Sequence, residues 1–329
     1  MKNIGWDSAQ TAAIKLARKT GPSFRVSIFV SAMAVAIFGF EAWGVNQPSP
    51  WGDEVATISG ASRSLPQLFK LLGNIDAVHG TYYLFMHFWG MLFGFGAFAL
   101  RLPSVIAITL TSVVVFMLCR RLFGPRVAAI SMVLTPLLPR LDWAATEGRS
   151  YAFVALMGVM LAYLFVRAIT EPGSKAKPFW VAHTVALVLG IHLFIYFVLY
   201  SGTLGLWLLW KQREAFTRWL TSIGIALVLS SYVIGEGLLQ QGQIGWLPKI
   251  GPHTVDQVFV GQAFWDNSQF AFFANGLLLA VTFGARYSVA SQPVGPDKDL
   301  NLIQMFAWVY WIPTLVILGY SLIAKSIYD

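Results

Sequence analysis

From Val26 to Val45 the sequence runs for about 20 mostly apolar residues, enough for a helix to cross a bilayer. Comparable runs recur as far as Ile323, separated by short polar loops. A chain built this way reads as a bundle of membrane helices. The composition agrees, with 57% hydrophobic and only 12% charged residues and a mean hydropathy of +0.64. The net charge of +8 resides in short basic clusters between apolar runs, a pattern that orients helices rather than one that binds nucleic acid. The lone Cys119 excludes an internal disulfide and any cysteine-based metal motif.

Basic residues decide the topology. Lys2, Lys15, Arg18, Lys19 and Arg25 precede the first run, which places residues 1–25 in the cytoplasm and makes the run an uncleaved anchor. Glu41, near the outer end of that run, reads as a snorkelling or lumen-facing residue. The aromatic stretch from His79 to Leu92 is long enough either to cross or to lie in the interface. If residues 79–98 stay on the outer surface, sixteen of the 23 Lys and Arg fall inside; if they cross, most fall outside. The first arrangement is therefore expected. Its spans are Val26–Val45, Leu100–Cys119, Val127–Leu141, Tyr151–Val166, Phe179–Ile191, Phe194–Trp210, Trp219–Leu238, Phe270–Gly284 and Leu302–Ile323. The fold expected is thus all-α and polytopic, with about nine transmembrane helices and two short interfacial helices in the first extracytoplasmic loop. One of those two opens at the capping box Ser64-Leu-Pro-Gln67 and presents Leu65, Leu68, Phe69 and Leu72 on one face.

This topology gathers ionisable residues on one membrane face: Asp53, Glu54, Asp76, His79, Asp142, Glu147, Arg149 and His192. Adjacent acids at a membrane surface cost desolvation unless they meet water, a cation or a substrate hydroxyl. The competing explanation is that lipid simply drives charges into loops. Convergence of several on one side, against short basic cytoplasmic loops, favours an extracytoplasmic site. A further outer loop from Gln240 carries Trp246, which either stacks on a sugar or anchors at the interface, and Val255, Val258 and Phe259 of another surface helix.

Four motifs, in order, carry a resemblance: Trp51-Gly-Asp-Glu-Val55, His79-Gly-Thr-Tyr-Tyr-Leu84, the segment ending Leu100-Arg-Leu-Pro103, and Glu147-Gly-Arg-Ser-Tyr151. Together they resemble C-type-fold membrane glycosyltransferases, the bacterial relatives of protein O-mannosyltransferases and lipid A aminoarabinose transferases. The resemblance implies a glycosyltransferase core over residues 26–329 in the bacterial inner membrane. It would move a hexosyl or pentosyl group, mannose by default, from a polyprenyl-phosphate donor to a lipid, glycan or protein acceptor, with inversion. It places Asp53 at the reacting centre, where a carboxylate takes the proton of a poorly nucleophilic hydroxyl. Arg149, with Arg101 and His192 behind it, would face the leaving lipid phosphate.

Asp142 and Glu147 resemble the family's acid in the next outer loop, which orients the acceptor or binds a divalent ion; the spacing assigns no metal ligand. Relatives write His-Pro-Pro or Lys-Pro where this chain has His79-Gly80-Thr81, which leaves His79 as either a structural histidine or a substrate contact. Relatives also continue past a Tyr-Asp like Tyr328-Asp329, which implies a truncated or shortened form. A second class of function follows from that: a degenerate member serving as a structural subunit of a membrane complex. A secondary transporter would require inverted repeats, and none is visible.

Overall fold

The computed structural model describes residues 24–245, 250–251, 254, 257–261, 268–284 and 302–323. Among them the chain is helical throughout, with no strand. The first helix, α1, spans Phe24–Ala42. Three shorter helices follow in the first loop: α2 (Gly52–Ala61), α3 (Leu65–Leu72) and α4 (Gly80–Phe93), with a 3-10 turn at Ala77–His79. Next come α5 (Ala97–Phe123), α6 (Pro125–Leu134), α7 (Pro139–Ala145), α8 (Tyr151–Thr170), α9 (Lys177–Leu193), α10 (Phe197–Lys211), α11 (Arg213–Leu229) and α12 (Ser231–Leu239). Two helices complete the described chain, α13 (Ser268–Gly284) and α14 (Leu302–Ile323).

A helix or a bent helix pair stands at each of the nine expected spans. Among the described residues four helices are long and apolar enough to cross a membrane, and the number rises to as many as six if each bent pair is one span. Both bends have local causes. Between α6 and α7, bent by 61°, lies Pro136, and Pro139 opens α7; neither can donate a backbone hydrogen bond. The bend of 60° between α11 and α12 falls at the Ser230-Ser231 pair, Ser230 between the helices and Ser231 opening α12.

In α3 the capping box closes as expected, with the Ser64 amide donating to Gln67 Oε1 at 3.2 Å. Leu68 and Leu72 are buried and Phe69 is exposed. Helix α4 buries Tyr82, Tyr83, Met86 and Gly90, and turns Phe85, Phe88, Leu92 and Phe93 outward. Its 14 residues extend about 21 Å, short of the hydrocarbon thickness. Glu41, expected near an interface, is instead buried at the end of α1, and neither carboxylate oxygen finds a partner among the described residues.

The main core lies between α8, α9, α10, α11 and α14, around Phe165, Leu187, Leu204, Trp207 and Met305. A second cluster under the first loop joins Leu68 and Leu72 of α3 to Tyr82, Tyr83 and Met86 of α4 and Leu100 of α5. That cluster seats the first loop on the bundle. At the other end of α8, Glu171 accepts from Arg121 and from Arg167, each at 3.0 Å, tying the ends of α5 and α8 together.

Candidate active site

The stretch opening at Trp51 is a helix start rather than an open loop. Asp53 and Glu54 lie in the first turn of α2, where carboxylates complement the helix dipole. Consecutive helical residues point about 100° apart, so the two acids diverge. Glu54 turns inward and is fully buried, whereas the Asp53 side chain keeps 41% of its surface.

Glu54 is saturated. Arg101 grips it with two parallel hydrogen bonds, Nε to Oε1 at 2.8 Å and Nη2 to Oε2 at 2.6 Å. The Gly148 amide donates to Oε1 at 2.7 Å, and the Trp51 amide to Oε2 at 3.4 Å. Arg101 spends its remaining Nη1 donor on the carbonyls of Val45 and Pro48 at 2.7 and 2.8 Å. With 2% and 0% exposed side chains, Arg101 and Glu54 have no surface to offer a substrate. The sequence reading put both in a binding site; the structure makes them the tie between the first loop and α5.

The Glu147-Gly148-Arg149 turn docks on that tie. A Cβ at Gly148 would sit 2.5 Å from Leu100 Cγ and 3.0 Å from Glu54 Oε1, so only glycine lets the turn come this close. Glu147 is held on one side by Trp51, whose indole Nε1 donates to Oε2 at 2.5 Å, and on the other by Ser104, which donates to its carbonyl at 2.6 Å. Burial pushes the Glu147 carboxyl above its usual range, with the Trp51 hydrogen bond opposing.

Arg149 thereby reaches α2 and α4. Its Nη2 lies 3.6 Å from Asp53 Oδ2 and 3.3 Å from His79 Nε2; its Nη1 reaches Tyr83 OH at 3.2 Å, the Asp53 carbonyl at 3.4 Å and Thr57 Oγ1 at 3.5 Å. Tyr151 OH donates to Asp53 Oδ2 at 3.4 Å. Tyr83, its phenol pushed up to about 12 mainly by burial, donates to Asp76 Oδ2 at 3.1 Å. Gly60 makes room for that tyrosine, since a Cβ there would lie 2.7 Å from the ring. Burial and then the Arg149 charge lower His79 from 6.5 to about 4, so its imidazole is neutral near pH 7 and accepts from Arg149 through Nε2.

The loop after α12 joins in. Gln243 Oε1 accepts from the Asp76 amide at 3.2 Å, Gln240 Oε1 accepts from the Ala77 amide at 3.0 Å, and Gln240 Nε2 donates to the Leu72 carbonyl at 2.8 Å. These bonds hold Asp76 in a left-handed conformation, φ 61°, an unusual one for a residue with a side chain.

With these distances in place, the comparison with known families is informative. Residues 81–234 match the family model described as dolichyl-phosphate-mannose-protein mannosyltransferase. The match supports a membrane glycosyltransferase. It covers just under half of the chain, and no curated protein and no solved structure matches. The matched segment holds Arg101, Asp142, Glu147, Arg149 and His192; Asp53, Glu54, Asp76 and His79 precede it. The Arg149 contacts therefore join a matched arginine to an unmatched aspartate.

Of the sequence candidates, Asp53, Asp76, His79 and Arg149 meet in one hydrogen-bonded cluster, with Glu147 beside it. Asp142 stands on the exposed side of α7, outside those hydrogen bonds. His192 is held by the Val188 carbonyl at 2.9 Å and Ser230 Oγ at 3.2 Å, and among the described residues no hydrogen bond joins it to Asp53 or Arg149. Trp246 lies outside the described residues. Tyr83, Tyr151, Thr57, Gln240 and Gln243 were not singled out from the sequence. Tyr83 had a signal, since it lies four residues after His79 and so shares a helix face with it. Among the described residues no three His, Cys, Asp or Glu side chains converge to hold a metal ion.

Proposed function

We propose that this protein transfers a sugar, mannose by default, from a polyprenyl-phosphate donor to an acceptor hydroxyl on the extracytoplasmic face of the membrane. In this reading the fold is of the C type, the chain crosses about nine times, and the N-terminus is cytoplasmic. The observation that carries the proposal is the contrast between two buried arginines. Arg101 is locked at 2.6–2.8 Å in a closed pair, whereas Arg149 is held at 3.2–3.6 Å beside an exposed Asp53 carboxylate. A guanidinium held this loosely can exchange those contacts for a phosphate, the charge-assisted contact its planar fork favours.

The chemistry is a single displacement. Asp53 accepts the proton of the acceptor hydroxyl as its oxygen bonds to the anomeric carbon. The bond from that carbon to the phosphate oxygen breaks, and the lipid phosphate departs with the electron pair and negative charge, which Arg149 stabilises. One base and one cation suffice for an inverting transfer, in which no carboxylate becomes covalently glycosylated.

Neutral His79 and Tyr83 orient the guanidinium without adding charge. The test is donor chemistry: membranes containing the full chain are supplied with radiolabelled polyprenyl-phosphate mannose, and with other polyprenyl-phosphate sugars. Labelled acceptor above that in membranes lacking the chain supports the proposal. No transfer from any polyprenyl-phosphate sugar overturns it.

A further inference from the structure

Beyond the far end of α8, whose 20 residues extend about 30 Å from Tyr151, the bundle has a second feature that the transferase reading does not use. A cavity of about 460 Å³ opens between the N-terminal half of α9 and the middle of α11. The two helices run in the same direction, since His183 of α9 meets Ser222 of α11 at 3.0 Å and His192 meets Ser230, just past α11, at 3.2 Å. Each contributes residues at positions i, i+3, i+4 and i+7, counted from Lys177 on α9 and Arg218 on α11, so each presents one continuous face.

The order of residues along those faces defines a ligand. At the mouth stand the exposed cations Lys177 and Arg218, neither with an ion pair or hydrogen bond among the described residues. One turn deeper lie Thr221, whose hydroxyl donates to the Thr217 carbonyl at 3.0 Å, and Ser222, which accepts from Thr184 Oγ1 at 2.9 Å. Trp180, nine-tenths buried, packs its ring along the same wall. At the same depth Val181 and Ile225 are 57% and 46% exposed on the apolar flank of the bundle. Two cations unpaired among the described residues, at the mouth of a cavity with an apolar flank alongside, match an anionic phosphate headgroup with its acyl chains lying against Val181 and Ile225.

We infer that this cavity binds the headgroup of an anionic membrane phospholipid. Lys177 and Arg218 clamp the phosphate, and the glycerol and chains leave along the apolar flank. The site is separate from the sugar-transfer cluster and stands whether or not that cluster is active.

The full chain, purified in detergent, is examined by native mass spectrometry with phosphatidylglycerol, phosphatidylcholine or inorganic phosphate added. Phosphatidylglycerol is expected to stay bound through detergent removal at occupancy at least fivefold above phosphatidylcholine, and millimolar inorganic phosphate is expected not to displace it. Lys177→Gln/Arg218→Gln abolishes that preference; Lys177→Arg/Arg218→Lys keeps it. Ile225→Trp, which fills the flank while leaving both cations, lowers phosphatidylglycerol occupancy to the phosphatidylcholine level. Equal retention of the two lipids, or unchanged preference in the doubly neutralised protein, overturns the inference. Displacement by inorganic phosphate alone also overturns it, because the site would then take a free anion.

Discussion

Arg101 on α5 and Glu54 on α2, 47 positions apart in sequence, close a two-bond pair at 2.8 and 2.6 Å with no access to solvent. A buried pair of this kind costs much to break singly, because the remaining charge is left without a partner. Glu54→Gln and Arg101→Met are each expected to lower stability by about 3–5 kcal/mol. The Glu54→Leu/Arg101→Met double variant should lose less than the sum of the corresponding single losses, read as thermal unfolding in detergent. Additive losses would show that the two side chains do not act as a unit.

Gly148 is the second test of the same junction. Gly148→Ala drives a methyl to within 2.5 Å of Leu100 Cγ, an overpacking cost of about 1–3 kcal/mol. The displaced turn carries Arg149 with it, so transfer should fall more steeply than stability. Adding Leu100→Ala should restore part of both, whereas no recovery would place the conflict elsewhere.

The Gln240–Gln243 loop should protect the Asp76 turn. Gln240→Ala/Gln243→Ala removes the acceptors of the Asp76 and Ala77 amides. Each such bond contributes about 1 kcal/mol net. Hydrogen exchange at these two amides should accelerate by roughly tenfold or more, with α8 and α9 unchanged. Unaltered exchange would mean that the turn holds its left-handed backbone unaided.

His79 gives the acid limb. Its folded value near 4 lies below the unfolded 6.5, so between these the unfolded chain binds a proton that the folded chain does not. The associated stability is present above about pH 6.5 and is lost as pH falls toward 4. Unfolding midpoints measured across that window should drop for the wild type and drop less for His79→Gln. Identical slopes would remove His79 as the titrating group.

Much of the architecture is legible in the sequence because apolar run length and helix signals are local. The capping box at Ser64 and the helices at the nine apolar runs follow from them. The α6–α7 and α11–α12 bends are harder to read, since mean hydropathy passes smoothly over Pro136 and over Ser230-Ser231. The Asp53–Arg149 cluster is legible as a set of charges in neighbouring loops but not as a set of roles. Asp53 and Glu54 look equivalent as adjacent acids, and only the 100° turn of a helix beginning at Gly52 sends one to the core and the other to the rim. Arg101 and Arg149 look equally cationic, and only Arg101 meets backbone carbonyls placed by the Val45–Pro48 turn. Gln240 and Gln243 carry no charge and lie more than 160 positions from their partners, so no local pattern marks them.

The most direct measurement of the central claim is single-turnover sugar transfer by the purified full chain carrying Asp53→Asn, Arg149→Gln or both, each confirmed as folded by its unfolding midpoint. Asp53→Asn should slow transfer by about 10²–10⁴-fold. The double variant should be little slower than the worse single, because the two groups act on one displacement. Wild-type rates in a folded Asp53→Asn protein would contradict the account.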